Sequence, residues 1–516
     1  MENTEGTMSG AAKGTGGVPM DVGRNGVEAP ALSIEEFRRL GYQAVDIAAA
    51  HLAGLDERPV FARMTPAERS SLLDQSLGNA PASPDDLLAA ARDLVLAHPM
   101  GNGHPRFFGW VNSPPAPMGI LADLLAATLN ASCAGGDHAA IYVEHAVVRW
   151  LMELVGFPAE GSYGLLVSGG SAASSTCLAA ARRRAALAGG WNDRLEGMQG
   201  DHLPLVLYCS TEGHSCLQKA VELLGLGAKA IHRIPVDDAF RLDVAALRAA
   251  IRADRAAGLA PFCVAASAGT VNTGAVDPLA AIADVCADEG LWFHVDGAYG
   301  AVGVLDETRA DLYEGMERAD SLALDPHKWL WTPLECGCAL VRDGALLRDT
   351  FSLVPPYLRT EEGKGVGGLP WFSEYGFQQS RGFRALKLWM TLQHVGRAGL
   401  AKEIARHNSL ARSLAVLVDD EQDLVLAAPV SLSIVAFRYR PTAGTDDEDV
   451  DLLNKRIVEE IQSGGEAFIT GAVLHGRQVL RACIIHYKTT EQDLQALVDI
   501  VKRTGARCRA ALVGDA

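Results

Sequence analysis

The chain has 516 residues, 48% of them apolar and 21% charged, with a formal net charge of −17 from 46 basic and 63 acidic side chains. That acidic balance argues against a nucleic-acid or anionic-membrane partner, and no apolar run approaches the ~18 residues that cross a bilayer. The opening MENTEGTMSGAAKGTGG lacks the basic-then-apolar order of a secretory leader, and the ten cysteines follow no metal or disulfide spacing; together these point to a reducing cytoplasm.

Residues 1–30 are rich in Gly, Ala, Thr and Asn without periodicity and read as a disordered tail. The segment 31–115 reads as helical. Ser33 with Glu36 three residues on fits a capping box, and Phe37, Leu40, Tyr42, Val45 and Ile47 follow. Ser83 and Pro84 fit the cap and first position of a second helix. The run His104 to Trp110 then interrupts the helical text, and Ser113 to Pro117 forms a proline-rich turn.

From 116 to 400, short runs that are apolar almost throughout, at 164–167, 205–208, 262–265, 292–295 and 321–324, alternate with helical stretches such as 172–187 and 279–289. Strands buried on both faces look like this, so the expectation is an α/β domain with a mostly parallel central sheet. Cys336 and Cys338 read as small buried side chains on a further strand. The remainder, 401–516, reads as a smaller α+β domain: helix at 400–417, strands at 432–439 and 478–485, and a last helix at 491–501.

Four motifs carry the chemistry. Ser168-Gly169-Gly170-Ser171 follows a strand and opens an Ala-rich helix, so backbone N–H groups and the Ser171 hydroxyl can hold an anion. Glu212-Gly213-His214-Ser215 follows the next strand and can place the His214 ring against a flat cofactor, although a histidine there can equally cap a helix. His294-Val295-Asp296-Gly297-Ala298 ends a buried strand on an aspartate. Such a carboxylate needs a partner, and a protonated pyridine nitrogen would serve; Ala298 leaves room for the ring. Lys328, 32 residues after Asp296, follows Asp325-Pro326-His327 and precedes Trp329-Leu330-Trp331. If those apolar side chains wall the amine in, desolvation favours the neutral, nucleophilic form. A lysine, an aspartate, a histidine and a phosphate turn in this order fit pyridoxal phosphate, and no metal is expected.

These motifs, with His104-Pro105-Arg106-Phe107-Phe108-Gly109 and Ser380-Arg381-Gly382-Phe383-Arg384, resemble the group II pyridoxal-phosphate-dependent amino-acid decarboxylases over about 33–505. The resemblance implies a fold type I, aspartate-aminotransferase-like architecture. It makes Lys328 the lysine that carries the cofactor, Asp296 the partner of the ring nitrogen and His214 the histidine stacked on the ring. It assigns Gly170 and Ser171 to the phosphate and places Thr270, Ala298 and His327 around the cofactor. It also implies a homodimer with sites at the interface, to which 31–115 contributes.

The implied reaction is loss of CO2 from an L-amino acid, aromatic as a first choice, to leave the amine. Family members protonate the product from a tyrosine on a loop that here runs from Tyr357 to Tyr375. Counting back from Arg381 puts Phe372 nearest that position, with Tyr375 three residues on. Two outcomes stay open: protonation by Tyr375 or by Lys328 with His214, or, with Phe372 in place, oxidation to an aldehyde, peroxide and ammonia. Phe108, Trp110 and Phe372 are the candidate substrate contacts. An aminotransferase using Arg481 and an inactive pyridoxal-phosphate-binding scaffold are the rival readings.

Overall fold

The computed structural model describes residues 32–353, 367–441 and 447–514. The tail 1–30 and the loop residues Tyr357, Leu358, Arg359 and Thr360 lie outside the described residues. Ser33 caps the first helix, Ile34–Ala53, accepting from the Glu36 N–H at 3.1 Å. Ser83 caps Pro84–Ala90 in the same way, with Pro84 in the first turn. A full capping box between Thr65 and Glu68 starts the helix Pro66–Leu73, which the sequence reading passed over.

The large sheet has seven strands: β1 Tyr163–Val167, β2 Leu205–Ser210, β3 Ile231–Ile234, β4 Ala260–Ser267, β5 Trp292–Asp296, β6 Ser321–Leu324 and β7 Gly337–Val341. Their order is β1-β7-β6-β5-β4-β2-β3. β6, β5, β4, β2 and β3 pair in parallel, while β7 runs antiparallel to both β1 and β6. The last residues of β1, β2, β4, β5 and β6 therefore reach one edge. All of β2, β5, β6 and β7 is buried, which explains the near-continuous apolar runs: helices such as Gly170–Ala188 and Leu279–Glu289 cover the two faces.

The second sheet is antiparallel: β8 Leu424–Leu426, β9 Ile434–Tyr439, β10 Thr470–Leu474 and β11 Arg477–Cys483, in the order β10-β11-β9-β8. It packs on Asp447–Gly464 and Glu491–Gly514. The helix Ala385–Asp419 spans the boundary read at residue 400, with a non-helical break at Gly396. Phe108 lies in the core of this smaller unit. Its N–H donates to the Phe468 carbonyl at 2.7 Å, and its own carbonyl accepts from Cys483 at 3.0 Å. The segment that interrupts the N-terminal helices is thus stitched to the C-terminal sheet.

β1 is an edge strand, and its outer side is closed by a buried ion pair. Glu144 Oε1 accepts the Leu166 N–H at 3.0 Å, and Arg381 Nη2 donates to the Leu166 carbonyl at 2.6 Å. The carboxylate and guanidinium also bind each other, and Arg381 Nη1 donates to the Cys133 carbonyl at 2.7 Å. This locks β1 two residues before Ser168. Removing one member leaves a buried charge unpaired, which costs about 3–5 kcal/mol. Glu144→Gln and Arg381→Met should each lower stability in urea denaturation by that order. The double replacement Glu144→Leu/Arg381→Met should not recover it, because Leu166 still loses both backbone partners; recovery to the parent midpoint would refute this account.

Candidate active site

The loops beyond the strand ends enclose a cavity of about 540 Å³. Ser168 to Ala172 enter from β1, Glu212 and His214 from β2, Thr270 and Val271 from β4, Asp296 and Ala298 from β5, and Asp325, His327 and Lys328 from β6. This is the crevice that parallel sheets offer at their carboxyl ends. The structure thus brings together Gly170, Ser171, His214, Thr270, Asp296, Ala298, His327 and Lys328, and it adds Trp110 from the N-terminal segment.

Lys328 differs from expectation. Trp329, Leu330 and Trp331 do not wall it in; all three belong to the large hydrophobic core. Trp329 stacks on Tyr299 with ring centres 5.0 Å apart and donates to His407 Nδ1, and Trp331 donates to the Ile485 carbonyl. The turn that returns the Lys328 N–H to the Asp325 carbonyl points the amine instead to Asp325, with Nζ 3.0 Å from Oδ2. About a quarter of the side chain (23%) remains exposed. Burial lowers the lysine pKa, but the charges of Asp325 and then Asp296 outweigh it, so the net direction is up. In this geometry the amine is a cation paired with Asp325.

Both site histidines are oriented by backbone N–H groups. His214 caps the helix Ser215–Leu223, its Nδ1 accepting from Cys216 at 3.1 Å. His327 Nδ1 accepts from Cys336 at 3.1 Å. An accepting Nδ1 leaves the ring proton of the neutral form on Nε2. Burial lowers the pKa of each ring. The capping role and the cavity position of His214 are therefore compatible, because they use different nitrogens.

Asp296 ends β5 in a buried position and has no ion-pair partner among the described residues. Its Oδ1 accepts from Ala298 N at 3.2 Å, and its Oδ2 accepts from the Cys216 thiol at 3.5 Å. Burial and the Asp296 charge push that thiol up, so it stays a donor. A buried carboxylate held only by neutral donors suits a cationic ring nitrogen. The glycine turn fits a phosphate. Gly169 caps the nineteen-residue helix Gly170–Ala188, and the free N–H groups of a helix's first turn favour an anion. A Cβ on Gly170 would come within 2.9 Å of Asp325 Oδ2 and 3.1 Å of the Ala298 methyl, so a side chain there is excluded. His214, Cys216 and Asp296 also place three donor atoms within 4.8 Å of one another, but the His214 Nδ1 and Cys216 Sγ are engaged in the hydrogen bonds just described.

Three residues expected at the site do not line this cavity. Phe108 is in the C-terminal core, as described. Phe372 is fully buried, with its ring 4.8 Å under the Arg381 guanidinium and 4.5 Å from His145. Tyr375 stacks on Tyr163 at 3.6 Å. Aromatic side chains fill whichever core lies nearest, and here that is the outer face of β1. Conversely, Glu212, Cys216, Val271, Asp325 and Glu335 line the cavity without having been foreseen. Asp325 had a visible signal, a carboxylate three residues before the lysine; Glu212, Cys216 and Val271 lie within two residues of expected positions, and Glu335 is brought in by the loop after the lysine turn.

Residues 66–440 match the model of the pyridoxal-dependent decarboxylase conserved domain. An aromatic-L-amino-acid decarboxylase of Bacillus atrophaeus is 36% identical over 475 residues, covering 91% of this chain and 96% of the relative. A phenylacetaldehyde synthase of a Rosa hybrid cultivar is 29% identical, covering 92% and 94%. The crystal structure of Oryza sativa TDC with PLP and tryptamine superposes with a TM-score of 0.85 at 29% identity, covering 93% of this chain and 99% of that one. The expected fold type I architecture is the one observed. With the match spanning well over half its length, the chain belongs to the pyridoxal-dependent decarboxylase family, and by that membership it is a pyridoxal-phosphate-dependent amino-acid decarboxylase.

Proposed function

We propose that the enzyme removes CO2 from an aromatic L-amino acid and releases the amine, with Lys328, Asp296, His214 and the Gly170 turn as its working parts. The observation that carries this reading is their convergence on one cavity. When bound, pyridoxal phosphate supplies an aldehyde that condenses with amines and a ring that accepts the electron pair CO2 leaves behind. Lys328 would tether it, Asp296 would hold its ring nitrogen cationic, and Gly170 and Ser171 would take its phosphate. His214 would lie on the ring, with Thr270, Ala298 and His327 around it.

Trp110, Val271, Tyr299 and Leu334 give the cavity an apolar wall. No arginine lines it among the described residues, whereas Glu212 and Glu335 do. A side-chain carboxylate on the substrate would meet like charge there. The relative named for aromatic amino acids supports the same choice. His214, which carries its neutral-form proton on Nε2, can deliver a proton toward the product carbon. Tyr375 is buried and stacked on Tyr163 in its own chain, away from this cavity, which favours His214 over it as the proton donor.

We also propose a homodimer. The first helix exposes Ile34, Phe37, Tyr42 and Val45, and Pro117–Leu129 exposes Leu124 and Leu125. Apolar surface concentrated in this way marks an interface. A cytoplasmic location is supported by ten cysteines that are all free and buried. Among the described residues no helix is long and apolar enough to cross a membrane.

Three measurements test this reading. Incubation with each of the twenty amino acids, scoring CO2, amine, aldehyde and peroxide, should give CO2 and amine from an aromatic substrate. Peroxide with aldehyde in equal yield would replace the amine assignment by the oxidative one, and Lys328→Ala should abolish both turnover and the visible absorbance of lysine-bound cofactor. Cofactor capture by the apo-protein needs the neutral amine, so its rate should rise with pH. Asp325→Asn removes a charge that raises the Lys328 pKa, and the profile should therefore move to lower pH; an unmoved or upward-shifted profile contradicts the role given to Asp325. Light scattering should report a dimer for the parent and a monomer for Leu124→Glu/Leu125→Glu.

A further inference from the structure

Arg481, on β11, is buried (3% exposed) and has no carboxylate partner among the described residues. It binds backbone carbonyls and neutral side chains instead, the Cys483 thiol among them. Nε donates to the Val271 carbonyl at 2.6 Å, and Nη1 donates to the Trp110 carbonyl at 2.8 Å and to Thr470 Oγ1 at 3.4 Å. Nη2 has no hydrogen-bond partner among the described residues. A guanidinium buried without a counter-charge is costly, and an apolar residue of similar size would pack without that cost. Stability alone does not account for it.

The two carbonyls it joins belong to the cavity wall. Trp110 comes from the N-terminal segment and Val271 from the loop after β4. Trp110 sits at φ 46°, a left-handed conformation that bulky side chains rarely adopt. The residue is 47% exposed, and its ring leans on Phe468 at 5.2 Å. A left-handed tryptophan on a connecting segment persists only where its surroundings hold it, and the Arg481 fork holds its carbonyl.

We propose that Arg481 is a positioning residue: by binding both carbonyls it fixes Trp110 and Val271 as one rigid wall and so determines which amino-acid side chains the enzyme accepts. The two donors act together because the guanidinium is planar and presents them at fixed angles. A lysine ammonium cannot reproduce that fork. The inference rests on reading the cavity as the amino-acid site.

The test is a double-mutant cycle on the holoenzyme with Arg481→Met, Trp110→Ala and both together, with Arg481→Lys alongside. Arg481→Met should raise KM for the preferred amino acid about tenfold while kcat stays within about threefold. Trp110→Ala should do the same, and the double variant should be no worse than Trp110→Ala alone. Arg481→Lys should fall between parent and Arg481→Met. Multiplying effects in the double variant, or a fall in kcat at unchanged KM, would overturn the proposal. Hydrogen exchange on the cofactor-free protein gives a second readout. Arg481→Met and Arg481→Lys should both speed exchange around residues 108–112 and 270–274 together, and unchanged exchange in either stretch would equally overturn it. If the parent accepts no aromatic amino acid, the substrate reading fails separately, and the cycle is run on whichever amino acid is turned over.

Discussion

In the large sheet β6, β5, β4 and β2 run in one direction, and β7, antiparallel to its neighbours, brings β1 into the same direction as well. Their final residues share one edge, and each loop that follows contributes to one cavity. Parallel pairing has this consequence because every crossover must return to the same starting edge. Lys328 and Gly170 lie 158 positions apart in the chain, yet β1 and β6 end side by side across β7. The Glu144–Arg381 pair completes the arrangement, since β1 has a partner strand on one side only. Those two side chains satisfy Leu166 where an eighth strand would otherwise have to.

Charge balance inside the cavity follows from that convergence. Lys328 faces Asp325 at hydrogen-bond distance and feels Asp296 as well. Burial by itself would favour the neutral amine, but two carboxylates reverse the direction. Asp296 is left with neutral donors, the Ala298 N–H and the Cys216 thiol. A cofactor that carries a cationic nitrogen and occupies the amine of Lys328 fits this distribution, because it supplies positive charge to a buried carboxylate that has only neutral hydrogen-bond donors. The two histidines are prepared in a similar way. Backbone N–H groups occupy Nδ1 of His214 and of His327, so each imidazole keeps a defined tautomer.

The N-terminal segment does more than extend the helical layer. Phe108 is anchored in the core of the small sheet; His486 of the smaller unit meets the Gly103 carbonyl at 2.9 Å; and Ser113 donates to the carbonyl of His327 at 3.1 Å. One stretch of chain thus touches the smaller unit and the lysine turn. Trp110 lies in that stretch, lines the cavity and has its carbonyl on Arg481. The wall of the site is shared by three parts of the molecule, and this gives remote residues influence over substrate choice without contact with the reacting atoms.

Much of this was legible in the residues alone, for local reasons. Short runs that are apolar almost throughout mark strands covered on both faces, and β1, β2, β4, β5 and β6 all carried that mark. Serine before proline or an acidic turn marks a helix start, and Ser33 and Ser83 behave so. Gly170, His214 and Lys328 each follow a strand end and Asp296 closes one, so short-range order and strand direction suffice to place them. What the sequence could not decide is which side chains of a motif turn inward. Trp329 and Trp331 sit beside the lysine in the chain but belong to the core, while Asp325 reaches the amine. Phe372 and Tyr375 fill the outer face of β1 rather than the cavity, and Arg481 finds Trp110 across 371 positions. Those outcomes depend on packing between segments far apart in the chain, where an aromatic or a guanidinium has several comparable destinations, and only the assembled tertiary structure chooses among them.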